Sequence, residues 1–271
     1  FSKKPPKQGK VFLLFQPAEE TGAGAKAVMS DEEFRKHSFD ACFALHNLPG
    51  FTKHQIICKP GQFSAGAISM AYRFFGRTAH AAQPETGHNP AIAIGDVLKL
   101  SQTLSNPQES SKNFALVTPI YATLGDKSYG VSAGYGEVHF TLRAWNLDRL
   151  KALQEKLSDH IKAIAQAQNL LVEEEWFEEF YNNYNAAPAF EAIKQSAAKL
   201  SYKFNQIEKP FRWTEDFGLF SNVFSGAMFG LGAGVNTPSL HNPDYDFPDE
   251  IIETGVNMFV EICAKYQQNK R

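Results

Sequence analysis

The sequence lacks any apolar run long enough to cross a lipid bilayer. Its longest nearly continuous hydrophobic stretches, Val11 to Phe15 and Ala41 to Leu45, are about the length of one strand each. A membrane-spanning helix needs about 20 apolar residues. The N-terminal residues also lack the order of charged, apolar and small residues typical of a signal peptide. We therefore predict a protein without a membrane segment.

An excess of charge of either sign is also missing. The 27 Lys and Arg residues nearly balance the 29 Asp and Glu residues, and no long run of like charge occurs. Proteins that bind nucleic acids or anionic membranes typically carry a basic patch. The composition therefore argues against both partners and predicts a small molecule or another protein instead.

Cysteine is scarce. Cys42, Cys58 and Cys263 are the three cysteines, and no two of them have the CxxC spacing of a metal or redox motif. An odd number of thiols in apolar surroundings is typical of buried free cysteines rather than of a disulfide framework. We therefore expect a reducing, cytoplasmic compartment.

What the chain does contain is enough apolar material for a large core, since 43% of its 271 residues are hydrophobic. Val11 to Phe15 and Ala41 to Leu45 are continuous rather than alternating, and a helix-like stretch reaching Met29 separates them. A similar pattern returns near the C-terminus, with a strand predicted from Val223 to Leu231 and a helix from about Pro248. Continuous apolar strands between helices favour an α/β layer whose sheet is covered on both faces.

A different pattern occupies the middle of the chain. Strands and helices alternate there in the order β-α-β-β-α-β, which is typical of a ferredoxin-like split βαβ sandwich. In the strand from Tyr135 to Arg143, apolar and polar residues alternate strictly. The predicted elements are strands at 68–75, 114–124, 135–143 and 170–176 and helices from 90 and 147. The resulting domain prediction is a first catalytic part at 1–63, an inserted domain at 64–178 and a second catalytic part at 179–271.

Two adjacent carboxylates, Glu19 and Glu20, follow the first predicted strand. Open α/β sheets bind ligands at this end of their strands. Adjacent side chains on an extended backbone point to opposite sides, so one carboxylate can bind a cation while the other has a different role. The alternative is an acidic first helical turn that complements the helix dipole.

Two histidines occupy positions suited to metal binding. His46 ends the second apolar run, and His241 lies in a polar loop before the last helix. A neutral imidazole in such a place can bind zinc or a similar metal, although an ordinary half-buried histidine is the alternative. The sequence has no HExxH motif, which excludes helix-based zincin chemistry.

Five segments in a fixed order carry a family resemblance, namely FQPAEETGAGAKAV, FDACFALHN, GRTAHAAQP, TEDF and SLHNPDYDF. In these segments the chain resembles the metal-dependent aminoacylase and hippurate hydrolase-like amidohydrolases, relatives of the zinc carboxypeptidases. The resemblance covers nearly the whole chain. It implies an α/β metallopeptidase-like catalytic domain with a mixed sheet flanked by helices. An α+β, ferredoxin-like lid domain would interrupt this domain and form a homodimer.

The resemblance also implies roles for individual residues. Glu19 matches the general acid/base, and Glu20, His46 and His241 match metal ligands. Two divalent ions, which could be zinc, manganese, cobalt or nickel, would activate a water for attack on an amide carbonyl. Mixed nitrogen and oxygen ligands suit several of these metals, so the sequence does not choose among them.

Three positions of the inserted domain match substrate contacts. His80 matches a lid histidine that stabilises the oxyanion in the partner subunit's site, with a surface-turn histidine as the alternative. Arg143 matches a position that pairs with the substrate α-carboxylate, although a structural, salt-bridged arginine is the alternative. Gly130 takes the place of a substrate-binding Asn in the family, which puts the usual contact in doubt.

One family motif is absent. Relatives draw their remaining metal ligands from a Cys-Gly-His-Asp-Gly-His-like segment, and nothing similar occurs before Phe15 or elsewhere. We expect either an upstream block outside this sequence or an incomplete metal centre.

The expected activity is hydrolysis of an amide bond in an N-acyl amino acid or a small aminoacyl conjugate. A carboxypeptidase or dipeptidase of the same family is one alternative. A catalytically incomplete, lid-mediated dimer or small-molecule binder is another. Pairing through an exposed edge at Ile68 to Phe75 would support the dimer in either case.

Overall fold

The computed structural model describes residue 6 and residues 9–268, which form twelve strands and seven α-helices. The strands are β1 (Cys42–Pro49), β2 (Ile56–Cys58), β3 (Gly61–Ser64), β4 (Gly66–Phe75), β5 (Ala79–His80), β6 (Ala115–Leu124), β7 (Val131–Ser132), β8 (Tyr135–Ala144), β9 (Leu171–Phe180), β10 (Asn183–Asn185), β11 (Phe204–Gln206) and β12 (Gly226–Gly234). The helices are α1 (Ala23–Ser30), α2 (Glu32–Arg35), α3 (Ala91–Leu104), α4 (Leu147–Ala167), α5 (Ala187–Lys199), α6 (Gly218–Val223) and α7 (Ile252–Gln268). None of the helices in this part of the chain is long and apolar enough to span a membrane.

The chain divides into two compact units. Unit 1 contains the described residues up to Ser64, the segment Asn182–Phe211 and the residues from Glu215 onward. Unit 2 contains Ala65–Tyr181 together with Arg212–Thr214.

Unit 1 is built on a mixed four-stranded sheet in the order β1-β12-β2-β11. β12 runs parallel to β1 and antiparallel to β2, and β2 runs parallel to β11. Apolar side chains of the sheet, such as Ile56 and Phe229, pack with Ile193 of α5 and Met258 of α7 in one buried core. The predicted α/β class is thus confirmed.

Three local predictions for unit 1 need correction. The run from Val11 to Phe15 is not a strand, and Phe15 is 90% exposed. A strand needs a neighbour for its backbone hydrogen bonds, and this run has none in the described sheet. His46 lies inside β1 rather than at its end. The strand predicted from Val223 to Leu231 begins three residues later, at Gly226, because Val223 is the last residue of the helix α6.

Unit 2 contains an antiparallel four-stranded sheet in the order β6-β8-β4-β9. The helices α3 and α4 share one apolar core with its buried face, which includes Met70, Tyr72, Phe140 and Leu157. Every second residue of β8 is buried, as its alternating pattern predicts. The β-α-β-β-α-β order and this strand order are those of the ferredoxin-like fold.

The prediction of an edge strand at Ile68 to Phe75 in unit 2 is wrong. The run from Ile68 to Phe75 belongs to β4, which pairs with β8 on one side and β9 on the other. The edges of the sheet are β6 and β9. Alternation along a strand shows which face is buried but not how many neighbours the strand has, so the sequence pattern does not identify an edge.

Candidate active site

The segment that carries Glu19 and Glu20 forms a tight turn instead of the end of a strand. A short 3₁₀ turn covers Glu19–Thr21, and Gly22 closes it with a φ of 68° and a 2.8 Å hydrogen bond from its N–H to the Glu19 carbonyl. Helix α1 then begins, and a Cβ atom at Gly24 would lie 1.8 Å from the Pro17 carbonyl oxygen. Glycine at these two positions therefore permits the turn that presents Glu19.

Asp216 holds this turn in place. Its Oδ2 atom accepts hydrogen bonds from Gln16 Nε2 at 2.5 Å and from the Ala25 N–H at 2.9 Å. Its own backbone N–H donates to Glu19 Oε1 at 3.2 Å. The side chain is buried. One residue thus fixes both the entry to the turn and the carboxylate of Glu19.

His46 and Glu215 meet in the same unit. His46 Nε2 lies 3.2 Å from Glu215 Oε1, and His46 Nδ1 lies 2.8 Å from the Asn47 carbonyl oxygen. Burial alone would lower the pKa of His46, but the hydrogen bond and charge of Glu215, the hydrogen bond to the Asn47 carbonyl and the charge of Glu19 together raise it. Both ring nitrogens therefore face oxygen atoms, an arrangement that is satisfied by two protons on the ring, by a proton on Glu215 or by a cation beside Nε2.

Glu19 belongs to the same cluster. Burial, followed by the charge and hydrogen bond of Glu215, raises the pKa of Glu19 to about 7. Two neighbouring carboxylates repel each other unless a proton or a cation lies between them. The imidazole of His46 and these carboxylates are the donor types that divalent metals such as zinc bind. The donor chemistry therefore fits a metal.

The other two expected ligands do not join this cluster. Glu20 is exposed beside Glu19, and His241 is exposed in its loop with a φ of 66°. The loop is tied to β1 by a hydrogen bond from Asn47 Nδ2 to the Tyr245 hydroxyl. Among the described residues, no group of three or more His, Cys, Asp or Glu side chains is arranged to hold a metal ion. The ligand roles of Glu20 and His241 thus stay a prediction.

In unit 2, the structure brings His80 and Gly130 together. His80 in β5 pairs with Val131 in β7, and the Ala81 N–H donates to the Gly130 carbonyl at 3.0 Å. The Ala82 N–H donates to His80 Nδ1 at 3.1 Å. Because Nδ1 accepts this bond, the proton of a neutral His80 resides on Nε2, where it can be donated to a ligand.

Arg143 lies near the end of β8 and is half-buried. It donates to the Arg212 carbonyl at 3.2 Å and to Thr214 Oγ1 at 3.5 Å. Burial and the neighbouring charge of Arg212 lower the pKa of Arg143. Within the described part of the chain no carboxylate forms an ion pair with Arg143, so its charge is available to an anion.

Glu215, Asp216 and Gln16 are the site residues that sequence reasoning did not assign. Their signal was present, since TEDF and FQPAEE both belong to the family-like segments. The sequence does not show that these two segments contact each other. Asp216 and Glu19, which share a hydrogen bond, are 197 positions apart in the chain.

Comparison with known proteins identifies relatives of the chain. The model of peptidase family M20/M25/M40 matches residues 1–265. Hippurate hydrolase of Campylobacter jejuni is 27% identical over 269 residues, covering 95% of this chain and 67% of that protein. N-acetylcysteine deacetylase of Bacillus subtilis is 26% identical over 257 residues, covering 95% of this chain and 66% of its own length.

Solved structures share the fold. A dinuclear metal binding peptidase from the M20 family of Bacillus subtilis superposes with a TM-score of 0.77 at 23% identity, covering 94% of this chain and 64% of that one. An aminopeptidase of Bacillus cereus gives a TM-score of 0.71 at 13% identity, covering 92% of this chain and 62% of that one. The chain spans about two thirds of the length of these relatives.

Proposed function

Because the chain belongs to peptidase family M20/M25/M40, we propose that it is a metal-dependent hydrolase of amide bonds in N-acyl amino acids or small aminoacyl conjugates. The observation that carries the proposal is the cluster of Glu19, His46 and Glu215, which Asp216 holds together. Relatives named for hydrolysing hippurate and for deacetylating N-acetylcysteine support the substrate class.

In this proposal Glu19 is the general base. It takes a proton from the attacking water and passes it to the leaving amine, and a pKa of about 7 suits a group that both accepts and donates a proton near neutral pH. The proposed metal ligands are His46, Glu20 and His241. A site like that of the family would take two divalent ions. The metal, which could be zinc, manganese, cobalt or nickel, would lower the pKa of bound water and polarise the carbonyl. Glu215 orients His46 through their 3.2 Å contact.

Unit 2 supplies the remaining proposed groups. His80 donates a hydrogen bond from its Nε2–H to the developing oxyanion in the site of a second copy, and the Ala82 N–H keeps His80 in the required tautomer. Arg143 pairs with the substrate α-carboxylate, since no carboxylate among the described residues neutralises it. Gly130 brings no side chain to the substrate, so the contact made by Asn in relatives is absent.

The test of this function is a substrate panel. We expect the purified chain, supplied in turn with each of the four metals, to hydrolyse N-benzoyl and N-acetyl amino acids faster than dipeptides, as followed by release of the free amino acid. A metal chelator should abolish turnover. Faster cleavage of dipeptides would instead support the carboxypeptidase or dipeptidase alternative. No turnover of either class with any metal would support a catalytically incomplete binder.

We also propose that unit 2 forms a homodimer through β6. In a two-fold symmetric pair, the same strand of each copy lies against the other. The edge strand β9 carries five glutamates, which would repel their counterparts, whereas β6 has no charged residue and exposes Ile120, Tyr121 and Leu124. An uncharged, exposed edge strand is suited to antiparallel pairing with a second copy.

Charge on β6 is therefore expected to break the dimer. Ile120→Lys should convert a dimer into a monomer in light scattering coupled to gel filtration, because it would place a like charge on each of the two paired strands. Trp176→Lys on β9 is the matched control and should leave the mass unchanged, since it also replaces an exposed apolar residue on an edge strand. A monomeric wild type, or dissociation caused only by the control, would contradict the β6 interface.

The thiols support a reducing, cytoplasmic location. Cys42, Cys58 and Cys263 are all free in the structure. Burial raises the pKa of Cys42 and of Cys58 to about 12, so both stay protonated and unreactive at neutral pH.

A further inference from the structure

The turn that presents Glu19 contains a strained residue. Ala18, directly before Glu19, has a φ of 54° and a ψ of 40°, which is the left-handed conformation. Its carbonyl accepts a hydrogen bond from the Gly24 N–H at 3.1 Å. A residue with a Cβ atom adopts this conformation at an energetic cost and keeps it only where its surroundings enforce it. The direction in which the backbone enters Glu19 is therefore imposed on Ala18 by its neighbours.

The side chain of Asp216 supplies the contacts on both sides of this strained residue. Before Ala18, Gln16 Nε2 donates to Asp216 Oδ2 at 2.5 Å. After it, the Ala25 N–H donates to the same oxygen atom at 2.9 Å. One carboxylate oxygen of Asp216 thus closes the segment into a loop that contains Ala18 and Glu19.

Asp216 also takes the place of a missing helix cap. Helix α1 begins after Gly22, which has no side chain to cap the first turn. The Ala25 N–H near the start of α1 is paired instead with the carboxylate of Asp216, 191 positions away in the chain. A carboxylate at this end of a helix is favoured by the unpaired N–H groups and by the helix dipole. The start of α1 and the position of Glu19 therefore depend on the same side chain.

The backbone of Asp216 makes a further contact, because its N–H donates to Glu19 Oε1 at 3.2 Å. Asp216 is buried and directly follows Glu215, which contacts the proposed metal ligand His46. A displacement of Asp216 would therefore move the carboxylate of Glu19 relative to His46.

We propose that Asp216 is a positioning residue for the general base, which keeps the turn at residues 16–25 in its strained form and thereby aims the carboxylate of Glu19 at the attacking water. This proposal rests on the proposed function and adds to it how the fold holds the base. In this role Asp216 acts through Glu19 and needs no contact with the substrate. What its side chain contributes is the position of one acceptor atom, since both hydrogen bonds end on Oδ2.

The first test measures kcat and KM per folded, metal-loaded molecule of the full chain. Asp216→Ala should lower kcat about 10–10²-fold and leave KM within about threefold, because a displaced base weakens the transition state rather than substrate binding. Asp216→Asn should recover most of this loss, since one amide oxygen can accept both hydrogen bonds. Asp31→Ala, which removes the aspartate that accepts from the Phe34 N–H at the start of α2, is the matched control and should change neither constant.

A double-mutant cycle shows whether Asp216 acts through Glu19. In the Glu19→Gln background, Asp216→Ala should lower the residual kcat by less than about threefold, because the base that Asp216 positions is already gone. A loss in that background as large as in the wild type would overturn the proposal. If Asp216→Ala does not fold, Gln16→Ala removes one of the two side-chain bonds and should lower kcat about tenfold. Unchanged kcat in the folded variant would likewise overturn the proposal.

Hydrogen exchange separates this proposal from the proposed function, because it requires no turnover. Asp216→Ala should speed exchange of the amide protons at residues 16–25 about tenfold in mass spectrometry of the peptides, whereas Asp216→Asn and Asp31→Ala should not. Unchanged exchange in Asp216→Ala would overturn the proposal even in an active enzyme. Faster exchange in Asp216→Ala together with an inactive wild type would overturn the proposed function and leave the hold of Asp216 on Glu19 in place.

Discussion

Glu19→Gln is expected to lower kcat by about 10²–10⁴-fold, because the amide can neither take a proton from the attacking water nor return it to the leaving amine. The substitution keeps the shape of the side chain, and its Oε1 atom can still accept the hydrogen bond from the Asp216 N–H. The metal content, measured by atomic emission after gel filtration, should therefore remain near that of the wild type. We thus expect the Glu19→Gln variant to lose activity and to keep its metal.

Two further variants serve as comparisons for Glu19→Gln. Glu20→Gln, at the adjacent proposed ligand, should reduce the metal content, since it removes a charged donor. Glu33→Gln, on the exposed surface of α2, is the matched control and should change neither activity nor metal content. Turnover of Glu19→Gln within a few fold of wild type would contradict the assignment of the general base.

Asn185→Ala is expected to have the largest effect on stability. Asn185 is fully buried, and its Nδ2 atom donates to the Lys59 carbonyl at 3.0 Å and to the Met228 carbonyl at 2.9 Å. Its Oδ1 atom accepts from the Met228 N–H at 2.8 Å. The side chain thereby joins β10 to the central strand β12. Alanine would remove all three hydrogen bonds, leaving the Met228 N–H unpaired and the two carbonyls with only the weak Cys58 thiol donor, at a cost of about 3–5 kcal/mol in the free energy of unfolding.

Urea unfolding of the full chain, followed by circular dichroism, measures this loss. Asn236→Ala is the matched control, because Asn236 is exposed, and should change the free energy of unfolding by less than about 0.5 kcal/mol. A loss below about 1 kcal/mol for Asn185→Ala would mean that water or a rearranged backbone satisfies the freed groups.

Local patterns in the sequence predicted much of the fold. The stripe of leucines and isoleucines over residues 147–164 predicted α4, and the alternation from Tyr135 to Arg143 predicted β8 and its buried face. These two predictions are correct because the helical and strand periods depend only on residues that are close together in the sequence. The order of the elements in unit 2 then left few possible topologies.

The candidate site was predictable only in part. His46 and Glu19 were chosen from their places beside apolar runs and from the family-like segments, and the structure places both next to Glu215. Glu215 itself lies in a short polar segment with no periodicity. Its neighbouring residues give no indication that Glu215 contacts His46 of β1.

The sequence by itself determined the periodic elements, the class of each unit and the types of chemical group available for catalysis. Only the tertiary structure decided that β4 is central, that Val11 to Phe15 is not a strand, and that Asp216 fixes Glu19. The physical reason is the same in each case. Strand pairing and buried hydrogen bonds join segments that are far apart in the chain. Whether such a contact forms depends on both partners, and a local sequence pattern describes only one of them.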